Sequence, residues 1–412
     1  MMRTFLVAFT ILWVLLSAAH GATFQVQRGL NLDLWVTWPN EDEWGDETVL
    51  LPFPEWRQHL EATDLAALKE SGFDFLRMPV DPAPFLAASA EPLRDQLFAD
   101  TLAAVRMINA TGLKVIVDMH LIPTGGGRSV GMTEVMDDPA MFDRYVGVVR
   151  RMADTLSKED PEMVALELMN EPVVDCDDDG EKLWPDRQKQ LHAAARATAP
   201  DLTLVLTGAC WSGAEGLAQV DPVDFADDNL MWDFHSYEPF LLTHQGALWA
   251  GDFIRYVTGL PYPPHAAPPA ELEAALEAIR DTIRAEAPLT RRLGMLAYLD
   301  EEIAAIDTKE ELDAAMGRSF AAVAAWAREH GVDPQDILLG EFGMIRQEYG
   351  NDHIVPAFDR AAYLKDMIAR AEKEGFAWAI WSYGGAFGVV EEFGAQPAEP
   401  DVLQMVEELP PR

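Results

Sequence analysis

Short apolar runs alternate with amphipathic stretches along most of this chain. The runs are Gln25–Trp35, Phe73–Pro79, Lys114–His120, Val164–Asn170, Leu202–Thr207, Leu230–Ser236, Ile337–Phe342 and Ala377–Tyr383. Their interiors are nearly continuous in apolar residues, which predicts parallel strands buried on both faces. Between them, apolar positions recur at helical spacing over Glu55–Glu70, Leu93–Ile108, Met141–Leu156, Arg187–Thr198, Ser319–His330 and Arg360–Glu374, and several of these stretches stop at a glycine. Eight strands separated by helices predict an α/β protein with a closed (β/α)8 architecture, the TIM barrel. A doubly wound open sheet is the competing arrangement, but no Gly-x-Gly-x-x-Gly follows the first strand.

One connection breaks the rhythm. A loop and one helix would suffice between the sixth and seventh strands, yet residues 238–318 intervene before the Ser319–His330 helix. Ala270–Ala285 and Glu301–Met316 read as extra helices there, and residues 249–269 are rich in aromatics and proline. The insertion follows a strand, on the face where barrel active sites sit, so it reads as a lid or cleft wall, with a structural excursion or dimer contact as the other possibility. No linker or appended module is visible, so residues 22–412 read as a single barrel domain.

Charge narrows the classes. The chain has 31 basic and 69 acidic residues, a formal net charge of −38. Phosphate binding needs a basic surface, so nucleic acid is excluded as a partner. At the N-terminus, Arg3, an apolar Phe5–Leu16 segment too short to span a bilayer, and small residues ending at Gly21 predict a secretory leader over residues 1–21. The mature protein is then expected outside the cytoplasm, secreted or periplasmic, and without a membrane anchor. Such a compartment permits a disulfide between the two cysteines, Cys176 and Cys210; two free thiols are the alternative. No zinc-ligand spacing appears.

The chemistry concentrates where the strands end. In a parallel barrel the C-terminal strand ends converge on one cavity. Here they carry Arg77, His120, Asn170 and Glu171, His235 and Tyr237, Glu341 and Trp381. Singly, each histidine would read as structural and Trp381 as core. Together, at converging ends, they need a shared purpose, and two carboxylates facing one another are the working parts of most glycosidases. Trp35 and Trp38 after the first strand, Trp211 after the fifth, and Tyr383 and Phe387 after the eighth would flank the same face. Gly125-Gly126-Gly127 lacks the Gly-Lys-Ser/Thr context of a phosphate loop and reads as a cleft-edge loop.

In this order and on these strands, Arg77, His120, Asn170-Glu171-Pro172, His235-Ser236-Tyr237, Glu341 and Trp381 resemble glycoside hydrolase family 5, the cellulase and mannanase family of (β/α)8 barrels. The long sixth insertion departs from the family. The resemblance implies a retaining enzyme with Glu341 as nucleophile and Glu171 as acid/base, needing no metal or organic cofactor. It implies that Asn170 and His120 contact the sugar, that His235 sits beside Glu171, and that Trp381 offers a flat face to the ring. Trp35 and Trp211 are further substrate-binding candidates. Retention requires carboxyl groups about 5 Å apart, and Arg77 and Tyr237 would favour the charged form of Glu341.

The expected partner is a neutral β-linked polysaccharide or oligosaccharide, first a β-1,4-glucan cleaved internally, next a β-mannan or β-1,3-glucan. A sugar-binding barrel without turnover is the reading from another class. It usually goes with loss of a glutamate, and both are present.

Overall fold

The computed structural model describes residues 21–33, 40–47, 60–123, 128–176 and 182–410. Eight parallel strands close into a barrel: β1 (Arg28–Asn31), β2 (Phe75–Val80), β3 (Lys114–Met119), β4 (Val164–Glu167), β5 (Thr203–Thr207), β6 (Leu230–His235), β7 (Ile337–Phe342) and β8 (Ala377–Ile380). β1 pairs with β8 through Arg28–Trp378, Gly29–Ala379 and Leu30–Ile380, so the competing open sheet is overturned. Most predicted strands match within a few residues. The ends differ where the chain leaves the ladder early: β4 stops at Glu167 and β8 at Ile380, leaving Asn170, Glu171 and Trp381 on loops above the barrel.

The pleat of each strand sorts its side chains into layers. Side chains two residues apart point the same way. Phe75, Ile116, Ala165, Val205, Met231, Leu338 and Ala377 therefore fill the lower barrel together, and Phe24 joins them from the segment before β1. That segment is pinned by Phe24 N–H to Thr203 Oγ1 (3.1 Å) and Ala22 N–H to Asp336 Oδ1 (3.0 Å). Two residues further along β2, β3, β4 and β6 stand Arg77, Asp118, Glu167 and Asp233, all fully buried. An apolar floor thus carries a charged layer, and the strand-end residues sit on top of it.

Outside the barrel, helices cover the strands. In Pro139–Leu156, Asp138 caps the first turn by accepting from Ala140 N–H (2.9 Å), and Pro139 sits in the first turn, where its missing N–H costs nothing. Phe142, Tyr145, Val149 and Met152 fall on one buried face. Each such side chain stabilises by about 1.5–3 kcal/mol relative to exposure. Tyr145 also donates to the carbonyl of Leu168 (2.7 Å), fixing the chain just before Asn170.

The insertion holds helices Pro269–Glu286 and Arg292–Ala304, after which Lys309–His330 packs on the barrel. The helix expected over Glu301–Met316 is not one element. Thr308 N-caps a new helix by accepting from Glu311 N–H (3.2 Å), splitting the periodic stretch in two. The Ser319–His330 helix accordingly begins ten residues early, and it ends at Gly331 in the left-handed conformation (φ 71°). The expected Glu55–Glu70 helix starts late: Leu60 and Glu61 are not helical, and Glu61 caps a helix that begins at Ala62 by a capping box with Asp64, while residues 55–59 lie outside the described residues. Among the described residues no helix is long and apolar enough to cross a membrane.

Candidate active site

Arg77 organises the floor of the site. Its Nη1 donates to Glu341 Oε1 (2.7 Å) and to Asn31 Oδ1 (2.9 Å). Nε and Nη2 each donate to Glu167 at 2.7 Å, and Nη2 also reaches Asn170 Oδ1 (2.7 Å) and Asp118 Oδ2 (2.9 Å). One guanidinium therefore compensates several buried carboxylates. They cannot all stay ionised on one positive charge. Burial raises Asp118 to about 7, helped by the negative charges of Asp233 and Glu171 and opposed by Arg77. Burial likewise holds Glu167 well above the usual carboxylate range despite Arg77.

Above this floor stand the two glutamates. Glu341 is buried at the end of β7, with Tyr237 donating its phenol O–H to Oε2 (2.9 Å). Glu171 is more open and hydrogen-bonds His235 Nδ1 through Oε1 (2.7 Å). One oxygen of Glu171, one of Glu341 and a ring nitrogen of His235 all lie within 4.8 Å of one another. Burial works to lower His235, but the negative charges of Glu341 and Asp233 and the bonded Glu171 outweigh it, so its imidazole is raised well above the usual histidine value. His120 goes the other way: burial, with Arg77 and His235 nearby, lowers it to about 4, although Glu341 and Glu171 oppose this. Neutral His120 then donates from Nδ1 to Asp118 Oδ2 (2.7 Å) and accepts from Asn170 Nδ2 (3.4 Å), the tautomer this network selects. Its ring stacks on Trp381, with centroids 5.4 Å apart.

These groups open into a cavity of about 740 Å³ lined by His120, Asn170, Glu171, Trp211, His235, Tyr237, Glu341 and Trp381. Every described site residue expected from sequence is brought together here, with Arg77 directly beneath. Trp35, like Trp38 and Gly125–Gly127, lies outside the described residues. Tyr383 is buried and donates to Glu391 (3.2 Å) rather than lining the cavity, whereas Phe387 does line it.

Trp211 is 52% exposed at the cavity edge, on three consecutive residues with positive φ, Cys210, Trp211 and Ser212 (each 55°). Such backbone costs energy and persists only where the surroundings enforce it. Here a disulfide joins Cys176 to Cys210 (Cα–Cα 4.7 Å), Trp211 N–H bonds the carbonyl of Pro172 (3.0 Å), and the Ser212 hydroxyl donates to the carbonyl of Asn170. The Trp211 loop is therefore strapped to the Glu171 loop.

Sequence reading missed two groups. Asp118, Glu167 and Asp233 form the buried charged layer; the signal was a charge inside an apolar run, two residues before a strand-end histidine for Asp118 and Asp233. The insertion also contributes Phe240, His244 and Trp249 to the wall. His244 stacks on Phe240 (3.9 Å) and meets the edges of Tyr237 (5.1 Å) and Phe387 (5.3 Å), so the insertion packs directly on the donor to Glu341. Burial lowers His244 to about 3, leaving it an uncharged packing ring.

Among the described residues three trios bring metal-binding atoms together: Asp118/His120/Glu341, Glu167/Asp233/His235 and Glu171/His235/Glu341. Arg77 contacts Asp118, Glu167 and Glu341 at 2.7–2.9 Å, so a cation there would meet a fixed positive charge. The arrangement suits proton transfer and nucleophilic attack between two carboxylates better than metal binding.

The pattern of the cellulase family (glycosyl hydrolase family 5) matches residues 42–387. Endoglucanase 3 of Fibrobacter succinogenes is 23% identical over 339 residues, covering 80% of this chain and 47% of its own. Endoglucanase C of Acetivibrio thermocellus is 28% identical over 204 residues, covering 48% of this chain and 57% of its own. The chain thus spans about half the length of the curated relatives it matches. The cellulose synthase subunit Z of Clostridioides difficile superposes with a TM-score of 0.63 at 19% identity, covering 93% of this chain and 99% of that one, a likeness of fold.

Proposed function

This chain belongs to the cellulase family, glycosyl hydrolase family 5, and on that premise we propose that it is a retaining glycoside hydrolase that cleaves a neutral β-linked glucan within the chain. One observation carries the reading: an oxygen of Glu171 and an oxygen of Glu341 lie within 4.8 Å of one another. That approach fits the carboxyl spacing of about 5 Å for a covalent glycosyl-enzyme better than the roughly 6.5–9.5 Å that an inverting enzyme leaves for water.

In this reading Glu341 is the nucleophile. Arg77 and Tyr237 each donate to one of its oxygens, holding it in place and aimed. It attacks the anomeric carbon while Glu171 gives a proton to the leaving oxygen. Glu171 then takes a proton from the incoming water, whose oxygen displaces Glu341. Asn170, held by Arg77 through its carbonyl oxygen, turns its amide toward the sugar and His120. Trp381 and Trp211 present ring faces to the C–H faces of sugars. No cofactor takes part in these steps. Export by the residue 1–21 leader suits a polymeric substrate, and residues 22–412 act as one catalytic domain.

Support for a β-glucan comes from the relatives, both named endoglucanases. The test is a hydrolysis screen on soluble β-1,4-glucan, mixed-linkage glucan, β-mannan and β-1,3-glucan, with Glu341→Ala as control. The expected result is mixed oligomers from β-1,4-linked polymer with wild type and none with the variant. Equal hydrolysis by Glu341→Ala would overturn the mechanism, and preference for mannan or β-1,3-glucan would reassign the substrate.

A further inference from the structure

Asp233 is fully buried, and the proposed chemistry leaves it without a task. Among the described residues neither of its oxygens accepts a protein hydrogen bond. A buried carboxylate that accepts no hydrogen bond is costly and calls for a reason. The nearest cationic group is His235 Nε2, 3.0 Å from Asp233 Oδ2, within ion-pair range but out of line for a hydrogen bond. The chain makes room for this carboxylate: a Cβ at Gly340 would overlap Asp233 Oδ1. A glycine inside a barrel strand, immediately before Glu341, thereby admits the acid behind the histidine.

The other nitrogen of the same ring, Nδ1, bonds Glu171 (2.7 Å). Glu171, His235 and Asp233 therefore stand in a line, from the cavity rim into the barrel. We propose that Asp233 is a positioning residue for proton transfer: it keeps a proton on His235 Nε2, so that Nδ1 and Glu171 share the single proton that the acid step delivers and the base step recovers. This rests on the acid/base role proposed for Glu171. In the first step that proton passes from Glu171 to the leaving oxygen. In the second, one proton from water returns to Glu171, and the Nε2 proton stays in place throughout, so protons balance over the cycle.

The surroundings agree. Facing the pair are Glu167 on β4, Asp118 on β3 and His120 just after it, Glu341 on β7 and Arg77 on β2. Glu167, Asp233 and His235 bring ligand atoms within 4.8 Å of one another. Arg77 is bonded to Glu167, Asp118 and Glu341, and among the described residues no ion pair or hydrogen bond joins it to Asp233. His235 is thus the cation left for Asp233. Against burial, which works to lower it, the imidazole is held well above the ordinary histidine value by Glu341, Asp233 and Glu171.

The test is Asp233→Asn, which keeps the shape and removes the charge. On a β-glucan that wild type cleaves, the alkaline limb of kcat/KM should move down by about one to three pH units, the usual effect of losing an adjacent charge. A purely structural role would lower Tm and leave the limb in place. Superimposable pH profiles in wild type and Asp233→Asn would overturn the inference while leaving the hydrolase reading intact. A second measurement needs neither activity nor a folded variant: 15N NMR of histidine-labelled wild type at about pH 8, where an unperturbed imidazole is neutral. A His235 ring protonated at Nε2, whether or not Nδ1 also carries the shared proton, supports the inference, and a ring with no proton on Nε2 overturns it. An inactive wild type would count against the hydrolase reading alone, and the NMR result would still decide the pairing.

Discussion

Arg77→Lys keeps the positive charge at the centre of the site and removes its geometry. The guanidinium spreads its donors over Glu341, Asn31, Glu167, Asn170 and Asp118, all at 2.7–2.9 Å. An ammonium has three protons on one nitrogen and cannot span both Glu341 and the paired oxygens of Glu167. At least two hydrogen bonds to buried charged groups are lost, at about 1.5–3 kcal/mol each. The loss is therefore about 3–6 kcal/mol. A domain of about 400 residues unfolds with an entropy near 0.8 kcal/mol/K, so Tm should fall by about 4–7 °C. If the lost contact is the one to Glu341, kcat should fall by about 100-fold, as each 1.36 kcal/mol is tenfold in rate. Calorimetry and initial rates on the same preparation check both numbers. A Tm within about 1 °C of wild type together with an unchanged kcat would refute the view that Arg77 organises the site.

The titration shifts predict a falling stability at alkaline pH. Asp118, raised to about 7, and His235, raised well above the usual value, both bind more protons folded than unfolded above about pH 6.5. Their contribution is full at low pH and is lost as pH rises through the folded values, so Tm should drop between about pH 6.5 and 9, with about 1 kcal/mol from Asp118 alone; a Tm that rises over this interval would contradict the buried charged layer. Reducing Cys176–Cys210, 34 residues apart, should lower stability by about 4 kcal/mol in the chain-entropy model, or about 5 °C. It should also weaken substrate binding by freeing the Trp211 loop, read as a rise in KM under reductant. Trp249, on the insertion and 62% exposed at the cavity wall, should contribute binding rather than chemistry. Trp249→Ala is expected to raise KM about tenfold, equivalent to 1.4 kcal/mol, with kcat little changed; a collapse of kcat alone would assign it a different role.

The barrel was legible because eight apolar runs with helices between them leave few other ways to bury both faces of each strand. The upper site was legible because Arg77, His120, His235 and Glu341 interrupt apolar patterns at strand ends, where burial without purpose is costly. Asp118 and Asp233 interrupt the same patterns two residues earlier. They were passed over because a strand read as uniformly apolar hides the period-two pleat that aligns them with the histidines. The break at Thr308 was hidden by helical spacing that continues across two helices. The packing of His244 on Tyr237 could not be read either, since the turn that creates it is set by tertiary contact and not by local pattern.

The stereochemistry of the first product tests the central claim most directly. Proton NMR of a short soluble β-glucan, begun within seconds of mixing with enzyme, reads the anomer before mutarotation scrambles it. Two displacements at one carbon, through Glu341 and then water activated by Glu171, predict that the β-anomer accumulates first. Initial accumulation of the α-anomer would mean a single displacement by water, and would contradict the roles given to both glutamates.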